Sequence, residues 1–518
     1  VISQVDIFRD TIEARLSSAL QMPVHISSLQ GDWSYLDPRI IINGFSIGTA
    51  TDRGITFDRM SVCINSVLSL VESDLVISEL AIDRLSFRLR QNAEGVWAID
   101  GLPARENSLN LEPLLASVPH LKSVELTQVD IDVVGLQAHY QIRSQVDQEF
   151  ELVADGDVHS MSLPLLVERF GDKPYTDSIQ LLGKYAGDPR DQEAFSASLY
   201  LQLPNLEMID LLPNLFIADT QLTKMGFSGE FWLEFHHGAF ELIGSTVSDA
   251  LVGQRQGQSV ELLSNLRSEF VIVGLGDNEV QLYFNTLSMM LGSESWVLDE
   301  SSVILKQREN AVDLVVYSPD ISIATIVQGL TSLTQRVALL PEAAEEMLIG
   351  LQPRGRLEDV YLVIEDLTTS PKPHLVAQIQ NLQLSAYKAL PGISRLDGVA
   401  SLGRGGGYLN LYNTQPFTLD FKSMFPAPWS FDTAHGQLRY EVTPDAVLVE
   451  SSLLRVRQAD MVGGGRVQLR LPASRDDYTW GLEVGVRNAN LRDANRYLPD
   501  FLNPNLLEWL DGAINKGS

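Results

Sequence analysis

The sequence is poor in cysteine and in basic residues. Its 518 residues include a single cysteine, Cys63, so the chain can form no internal disulfide and no paired-thiolate metal site. The flanking residues Val62 and Ile64 are apolar, which predicts that Cys63 is a small buried side chain. Lys and Arg number 38 against 67 Asp and Glu, for a formal net charge of -29. A chain so acidic repels phosphate backbones, and we expect no nucleic acid partner.

The sequence also lacks a long apolar run. No uninterrupted apolar stretch reaches the roughly 18 residues that a membrane-spanning helix needs. The chain nevertheless starts at Val1 without a methionine and enters an amphipathic segment at once. This favours the hypothesis that a membrane anchor precedes Val1 in a longer protein.

Recognisable catalytic and metal-binding motifs are missing as well. The eight histidines are scattered, and the adjacent pair His236 and His237 lies at a predicted turn. Ser228 lies between glycines, but at the wrong spacing for a nucleophile elbow, and we interpret it as a strand residue. The glycine clusters at 403–407 and 463–465 lack the Lys-Ser/Thr of a phosphate-binding loop. We therefore expect no enzyme activity, no metal and no cofactor.

What the sequence does contain is a helical start followed by strands. Apolar residues that share one helical face occupy positions Ile2, Val5, Ile12, Leu16 and Leu20. The dipeptide Met22-Pro23 should end this amphipathic helix. From Val24 onward, apolar and polar residues alternate, which is typical of a sheet with one apolar face. The clearest alternating segments are 85–90, 129–133, 138–143, 195–203, 227–235, 280–284, 408–412 and 467–471.

Turn signals separate these segments and predict a mainly β protein of about 25 strands joined as antiparallel hairpins. A sheet this wide cannot leave its apolar face open to water, so that face must be closed, stacked on another layer or occupied by a ligand. Short helices are predicted at 111–116, 163–169 and 206–212, with a longer one at 323–351. In the last segment Ile326, Leu330, Leu333, Val337 and Leu340 recur at helical spacing.

A weak internal repeat indicates a modular chain. The elements Met347-Leu348 and Gly355 return 162 residues later as Trp509-Leu510 and Gly517. Strand-like sequence follows Gly355, whereas the second copy stops at Ser518, so we expect the protein to continue with further strands. The predicted divisions are 1–110 for the helix with its first strands, 111–320 for a β segment, 321–356 for a helical insert, and 357–518 for a second β segment.

Two sets of residues carry a resemblance to a known family. The opening segments 23–29, 31–33 and 38–48 resemble the start of AsmA-like envelope proteins. The later segments 390–398, 488–491, 497–499 and 508–510 resemble the YhdP branch of that family. The individual motifs are mostly apolar positions and turn glycines, so their order along the whole chain carries more weight than any one of them.

The resemblance implies an elongated, twisted antiparallel β-sheet rolled into an open hydrophobic groove. It further implies a protein anchored in the inner membrane of a Gram-negative bacterium, spanning the periplasm and conducting phospholipid towards the outer membrane. Phospholipid acyl chains would be the ligand, and contacts with the two membranes would lie in parts outside this sequence. The candidate lipid-facing residues are the large apolar members of the alternating strands, namely Leu85, Phe87, Leu89, Val129, Ile131, Val133, Tyr140, Ile142, Phe195, Leu199, Leu201, Phe227, Phe231, Leu233, Phe235, Leu282, Phe284, Leu409, Leu411, Leu469 and Leu471.

Two other interpretations remain open at this point. The same apolar residues could be ordinary core, in which case the protein would be a non-conducting envelope scaffold or an outer-membrane assembly factor. A carbohydrate-binding or adhesive β-protein would need clustered Trp and Tyr, but the seven Trp residues are dispersed. Bound phospholipid would separate the conduit from the scaffold.

Overall fold

The structure is a computed structural model. It describes residues 2–20, 23–48, 53–73, 76–92, 97–100, 120–136, 138–144, 150–155, 157–170, 174–191, 193–207, 209, 216–217, 220–255, 257–275, 278–292, 294–308, 311–337, 342–367, 371–387, 390–422, 425–472, 479–489, 496–499 and 502–516. The chain divides into two compact units. The first unit comprises 1–261 and 265–276, and the second comprises 262–264 and 277–518.

The first unit begins with helix and continues as sheet, as the sequence predicts. A 3-10 turn, Ile2–Phe8, leads into α1 (Arg9–Leu20), followed after β3 by the short helix α2 (Ser66–Glu72). The strands are β1 (Val24–Ser34), β2 (Asp37–Gly48), β3 (Arg53–Ile64), β4 (Ile77–Asp83), β5 (Leu85–Gln91), β6 (Trp97–Ile99), β7 (Ser123–Leu126), β8 (Val129–Val134), β9 (His139–Ser144), β10 (Phe150–Asp155), β11 (Val158–Phe170), β12 (Tyr175–Ala186), β13 (Ser196–Glu207), β14 (Phe216–Ile217), β15 (Thr220–His236), β16 (Ala239–Arg255) and β17 (Gln258–Leu275).

The second unit is also sheet, with three helices. Its strands are β18 (Glu279–Leu291), β19 (Glu294–Gln307), β20 (Val312–Ser322), β21 (Arg354–Glu365), β22 (Lys372–Leu384), β23 (Gly392–Gly403), β24 (Gly406–Asn413), β25 (Phe417–Asp420), β26 (Trp429–Phe431), β27 (Thr433–Val442), β28 (Ala446–Ser451), β29 (Leu454–Gln458), β30 (Met461–Pro472) and β31 (Thr479–Arg487). The helices are α3 (Ile323–Val337), α4 (Glu342–Leu351) and α5 (Pro504–Lys516). The repeat has a structural counterpart, because α4 and α5 begin at Glu342 and Pro504, 162 residues apart.

The mainly β prediction is confirmed, but two details differ from the expected succession of hairpins. Strand β4 pairs in parallel with β7, and β5 pairs in parallel with β8, so the sheet is mixed at this step. Segment 163–169, predicted as a helix, is part of strand β11. The helix prediction was wrong because Leu163, Leu165 and Val167 follow a period of two, and β11 pairs on both sides.

The outcomes differ for the other three segments that were predicted to be helical. Within segment 323–351, residues 323–337 form α3 and residues 342–351 form α4. Leu206 and Glu207 of segment 206–212 belong to strand β13, because both pair with β15. Segment 111–116 lies outside the described residues.

Helix α1 closes the first edge of the sheet. Val5, Ile12 and Leu16 pack on a core of buried β1–β3 residues that includes Ile26 and Leu29. Among the described residues, β1 pairs only with β2, so its other edge presents free backbone groups. Polar side chains of the N-terminal helical segment satisfy them: the backbone N–H groups of Leu29, Ile26 and Val24 donate to Asp6, Glu13 and Ser17.

A line of extra residues crosses the first strands at one level. In β1, β2 and β3, apolar side chains of the same core lie three positions apart rather than two, at Ile26/Leu29, Ile42/Phe45 and Phe57/Met60. Each such interval contains one extra residue. The register places these extra residues, and those that continue the line beyond β3, next to one another, namely Ser27, Gly44, Asp58, Arg84 and Gln128. Arg84 donates to Asp58 at 3.0 Å and to Gln128 at 3.1 Å. Gly44 and Arg84 have positive φ, as expected where a strand accommodates an extra residue.

The edge contacts of α1 give a test of the fold. Replacing Asp6, Glu13 and Ser17 together by Ala removes three acceptors, which should cost about 1 kcal/mol each in the free energy of unfolding. The uncovered edge should also cause concentration-dependent self-association. Urea unfolding and light scattering measure the two effects. Asp10→Ala is the control, because Asp10 pairs with Arg9 rather than with β1; an unchanged monomeric triple variant would contradict the capping role.

Candidate functional site

One face of the first unit carries a continuous apolar row. Directly paired residues of neighbouring strands lie on the same face of a sheet. Following the register from β2 to β16 through ten strands therefore defines a single row, row A. Row A consists of Ile40, Val62, Leu80, Val124, Leu152, Met161, Gly183, Leu199, Leu233 and Leu242.

The second unit carries an equivalent row. The register from β18 to β30 again joins ten strands through apolar positions and one glycine. Row B consists of Leu282, Val303, Val316, Leu362, Leu375, Leu402, Gly407, Tyr440, Val449 and Leu469. Neighbouring strands are about 4.8 Å apart, so ten strands carry a row on the order of 40 Å long. In each unit we call the face that carries the row the apolar face.

Glycine in these rows makes room for larger neighbours. A Cβ at Gly183 would lie 2.5 Å from a methyl of Leu199 and 2.6 Å from the Met161 Cε. Gly183 thus keeps the row continuous by letting the flanking side chains meet across β12. At Gly407 a Cβ would lie 2.1 Å from the backbone oxygen of Ser401, so a side chain cannot be added there without moving the strand.

The opposite face is mainly polar beside row A and mixed beside row B, where Ile304 pairs with Val315 and Val315 with Val363. Beside row A, Arg39 pairs with Glu79 at 2.8 Å and Ser198 donates to Glu234 at 2.6 Å. Beside row B, Arg439 lies opposite Glu450. The two faces therefore differ in chemistry along row A, as the alternating sequence predicts, and differ less along row B.

An ion-paired cluster lies on the polar face of β5, β8 and β9. Asp132 accepts hydrogen bonds from Arg88 and His139. Burial acts to raise the pKa of Asp132, but these two hydrogen bonds and the charges behind them outweigh it and hold the pKa below its usual range. The cluster ties together three strands whose other face is apolar.

The candidate lipid-facing residues of the first unit fall on the apolar face. Leu199 and Leu233 belong to row A, and Leu201 lies opposite Phe231. Pairing further aligns Leu85 with Val129, Phe87 with Ile131 and Ile142, and Leu89 with Val133 and Tyr140. Aromatic contacts extend the same surface, because Phe195 lies 5.8 Å from Phe235 and Phe227 lies 6.0 Å from Phe231.

These residues differ in how far the protein itself covers them. Val133 is 5% exposed and Tyr140 is 4% exposed, in a cluster with Val167 onto which Trp97 and Leu206 pack. This part of the apolar face is filled by protein side chains. Leu199, Leu201, Phe231, Leu233 and Phe235 are only half-buried, so the surface around β13 and β15 is more open.

In the second unit the candidate residues lie on or beside row B. Leu282 and Leu469 are members of the row. Phe284 and Leu471 follow them by two positions on the same strands, and therefore share their face. Leu409 and Leu411 follow Gly407 on β24 in the same way.

Sequence reasoning found four of the twenty row members, Leu199, Leu233, Leu282 and Leu469, and missed the other sixteen. Val316 and Leu362 lie in runs of consecutive apolar residues, where alternation does not say which residue belongs to which face. Val62 and Leu80 lie beside the line of extra residues, which shifts the alternation of apolar and polar residues by one position. Only the pairing register assigns such residues to a face.

Tyr185 is a polar residue on the apolar face of the first unit. It follows Gly183 by two positions on β12 and stacks on His159, with ring centroids 4.6 Å apart. Burial raises the pKa of Tyr185 to about 12. His159 Nε2 in turn bonds to the backbone oxygen of Leu121 at 2.8 Å. Tyr185 thus packs against a histidine that is itself hydrogen-bonded within the protein.

The two rows give each unit an extended apolar surface. Across the described ranges, no group of three or more His, Cys, Asp or Glu side chains could hold a metal ion. None of the described helices is long and apolar enough to cross a bilayer. Cys63 is buried, as predicted, and His236 and His237 lie at the β15–β16 turn.

Fold and surface together define a class: a β-sheet protein that keeps an extended apolar face in each of its units. The model of the YhdP protein family matches residues 1–518, and the chain therefore belongs to the YhdP family. Neither the curated proteins nor the solved structures contain a significant match to the chain.

The assignment of residues to faces can be tested by paired labels. In a Cys63→Ser background, Leu199→Cys labelled with an environment-sensitive dye should emit at shorter wavelength than Ser198→Cys carrying the same dye. Leu469→Cys and Gln468→Cys form a matched pair in the second unit, because Leu469 belongs to row B and Gln468 is exposed on the other face. Indistinguishable emission within both pairs would contradict the face assignment.

The Asp132 cluster predicts a pH dependence of stability. A carboxylate whose pKa is lowered on folding stabilises the protein above its ordinary pKa of about 4, and this contribution disappears as the pH falls below it. Asp132→Asn should therefore lower the free energy of unfolding by about 1 kcal/mol at neutral pH, and by progressively less below about pH 4. Urea unfolding at several pH values measures this, with Asp157→Asn in an exposed turn as the control.

Proposed function

We propose that this protein transfers phospholipid across the bacterial periplasm, with the acyl chains on its apolar faces, and catalyses no reaction. Row A and row B carry this proposal, because each presents apolar side chains over ten paired strands. Membership of the YhdP family supports a bridge-like lipid transfer role in the cell envelope. Transfer of this kind would contribute to lipid homeostasis of the outer membrane.

The energetic need for such a surface is clear. Moving an acyl chain of about 16 carbons through water costs roughly 12 kcal/mol, at about 0.8 kcal/mol per methylene group. A continuous apolar face removes most of that cost. The headgroup can remain in water at the border of the face, so transfer requires no specific polar pocket.

A second function is favoured by one observation. The cluster around Val133, Tyr140 and Val167 is packed by the protein's own side chains. If the whole apolar face behaved in this way, the protein would be an envelope scaffold or an assembly factor. The half-buried residues around Leu199 and Phe231 favour the lipid carrier instead.

Bound lipid gives the first test. The purified chain, extracted with organic solvent and analysed by mass spectrometry, should release phospholipid in near-stoichiometric amounts. Leu199→Asp and Phe231→Asp should reduce this lipid strongly, because a carboxylate on a dry apolar face costs several kcal/mol. Ser198→Asp and Trp232→Asp, one position away on the polar face, should not.

The same four variants distinguish loss of lipid from unfolding of the protein. Circular dichroism and urea unfolding of all four variants show whether the sheet is intact. A folded, lipid-free wild-type chain would contradict the carrier function and favour the scaffold.

A further inference from the structure

Large apolar side chains project from one end of the first strands. The two-residue turn between β1 and β2 consists of Tyr35 and Leu36, which are 100% and 79% exposed. Trp33, just before this turn, is 56% exposed. Side chains of this size are seldom so exposed without a partner.

Helix α2 adds a second group to the same place. Val67, Leu70 and Val71 are 64%, 82% and 75% exposed. Their spacing of three and four positions places them on one side of the helix, and that side faces solvent. A short helix normally turns its apolar side towards the core, so this orientation requires another explanation.

Hydrogen bonds hold the helix against the turn. The backbone N–H of Ser66 donates to Asp37 at 2.8 Å, and the Ser66 hydroxyl donates to the backbone oxygen of Leu36 at 3.1 Å. Asn65 caps the helix by accepting from the Leu68 N–H at 3.0 Å. The exposed side chains are therefore presented by a defined structure.

We propose that these six residues, the docking surface, insert into the interfacial region of a lipid bilayer. The surface consists of Trp33, Tyr35, Leu36, Val67, Leu70 and Val71. Trp and Tyr favour the interface of a bilayer, while Leu and Val favour its acyl region. Both kinds of side chain stand together here, at a two-residue turn and on the helix that is hydrogen-bonded to it.

The docking surface is continuous with the apolar face. Gly31 pairs with Ile40 of row A, and Trp33 lies two positions further along β1 on the same side. A lipid leaving a bilayer at this point would meet apolar side chains all the way to row A. The inference thus rests on the proposed function for its purpose, but its contact with lipid can be tested separately.

Charge determines the expected mode of binding. The net charge of -29 is repelled by anionic lipid at long range, so electrostatic recruitment is unfavourable. Segment 65–71 carries no charged residue. Binding should therefore occur on zwitterionic vesicles and should persist at high salt concentration.

A site-specific probe tests insertion directly. In the full 518-residue chain with Cys63→Ser, Leu70→Cys is labelled with the fluorophore NBD and mixed with phosphatidylcholine vesicles. Emission should rise by about threefold as the probe leaves water. Val297→Cys carries the same label at a strand position that is 52% exposed, and its emission should stay constant.

Vesicle flotation tests the surface as a whole. Tyr35→Asp combined with Leu70→Asp should reduce the bound fraction about tenfold, whereas Val297→Asp should leave it unchanged. The double variant should still contain extractable phospholipid, while Leu199→Asp should lose that lipid and still float. Failure of docking and failure of lipid carriage thus give different results.

Two results would overturn the inference. One is an unchanged NBD signal at Leu70→Cys together with unchanged flotation of the double variant. The other is a dimer, seen by light scattering without vesicles, that the double variant abolishes. In that case the surface is a contact between two copies of the chain.

Discussion

The pairing register of the strands is the constraint on which the rest of the structure depends. A shift of one residue in any strand would exchange its two faces and place polar side chains in row A or row B. The register is fixed by chemistry on both sides of the sheet. Apolar contacts hold one side, and pairs such as Arg39 with Glu79 hold the other. The polar face thus contributes to the continuity of the apolar one.

The line of extra residues shows how the first unit keeps the apolar side chains of neighbouring strands on the same face. One strand with an extra residue would turn its apolar side chains to the wrong face beyond that point. Here neighbouring strands contain the extra residue at the same level. The alternation of side chains between the two faces therefore shifts by one position in all of these strands together. Asp58, Arg84 and Gln128 connect these residues across β3 to β8. The bend is therefore a shared feature of the sheet, and row A runs beside it unbroken.

Much of this could be predicted from the sequence, but only where alternation is strict. Segments such as 195–203 and 227–235 alternate over their whole length, and Leu199 and Phe231 lie on the apolar face as expected. Alternation says nothing about partners, so the parallel step between β5 and β8 could not be foreseen. It also fails in apolar runs such as that containing Leu362, where both faces carry apolar residues. The segment 163–169 was assigned to a helix because seven residues are too few to distinguish the two periods when most are apolar.

The two features at the first edge of the sheet have complementary effects. Asp6, Glu13 and Ser17 satisfy β1 between Val24 and Leu29, and the described acceptors reach no further along the strand. Beyond Leu29 the strand continues for five residues to Ser34, and the turn with Tyr35 extends past the cap. The helix therefore prevents another strand from adding to this edge while leaving the tip of the β1–β2 hairpin exposed. A tip that must enter lipid gains from such an arrangement, because the helix blocks strand addition at the neighbouring edge without covering the apolar side chains of the tip.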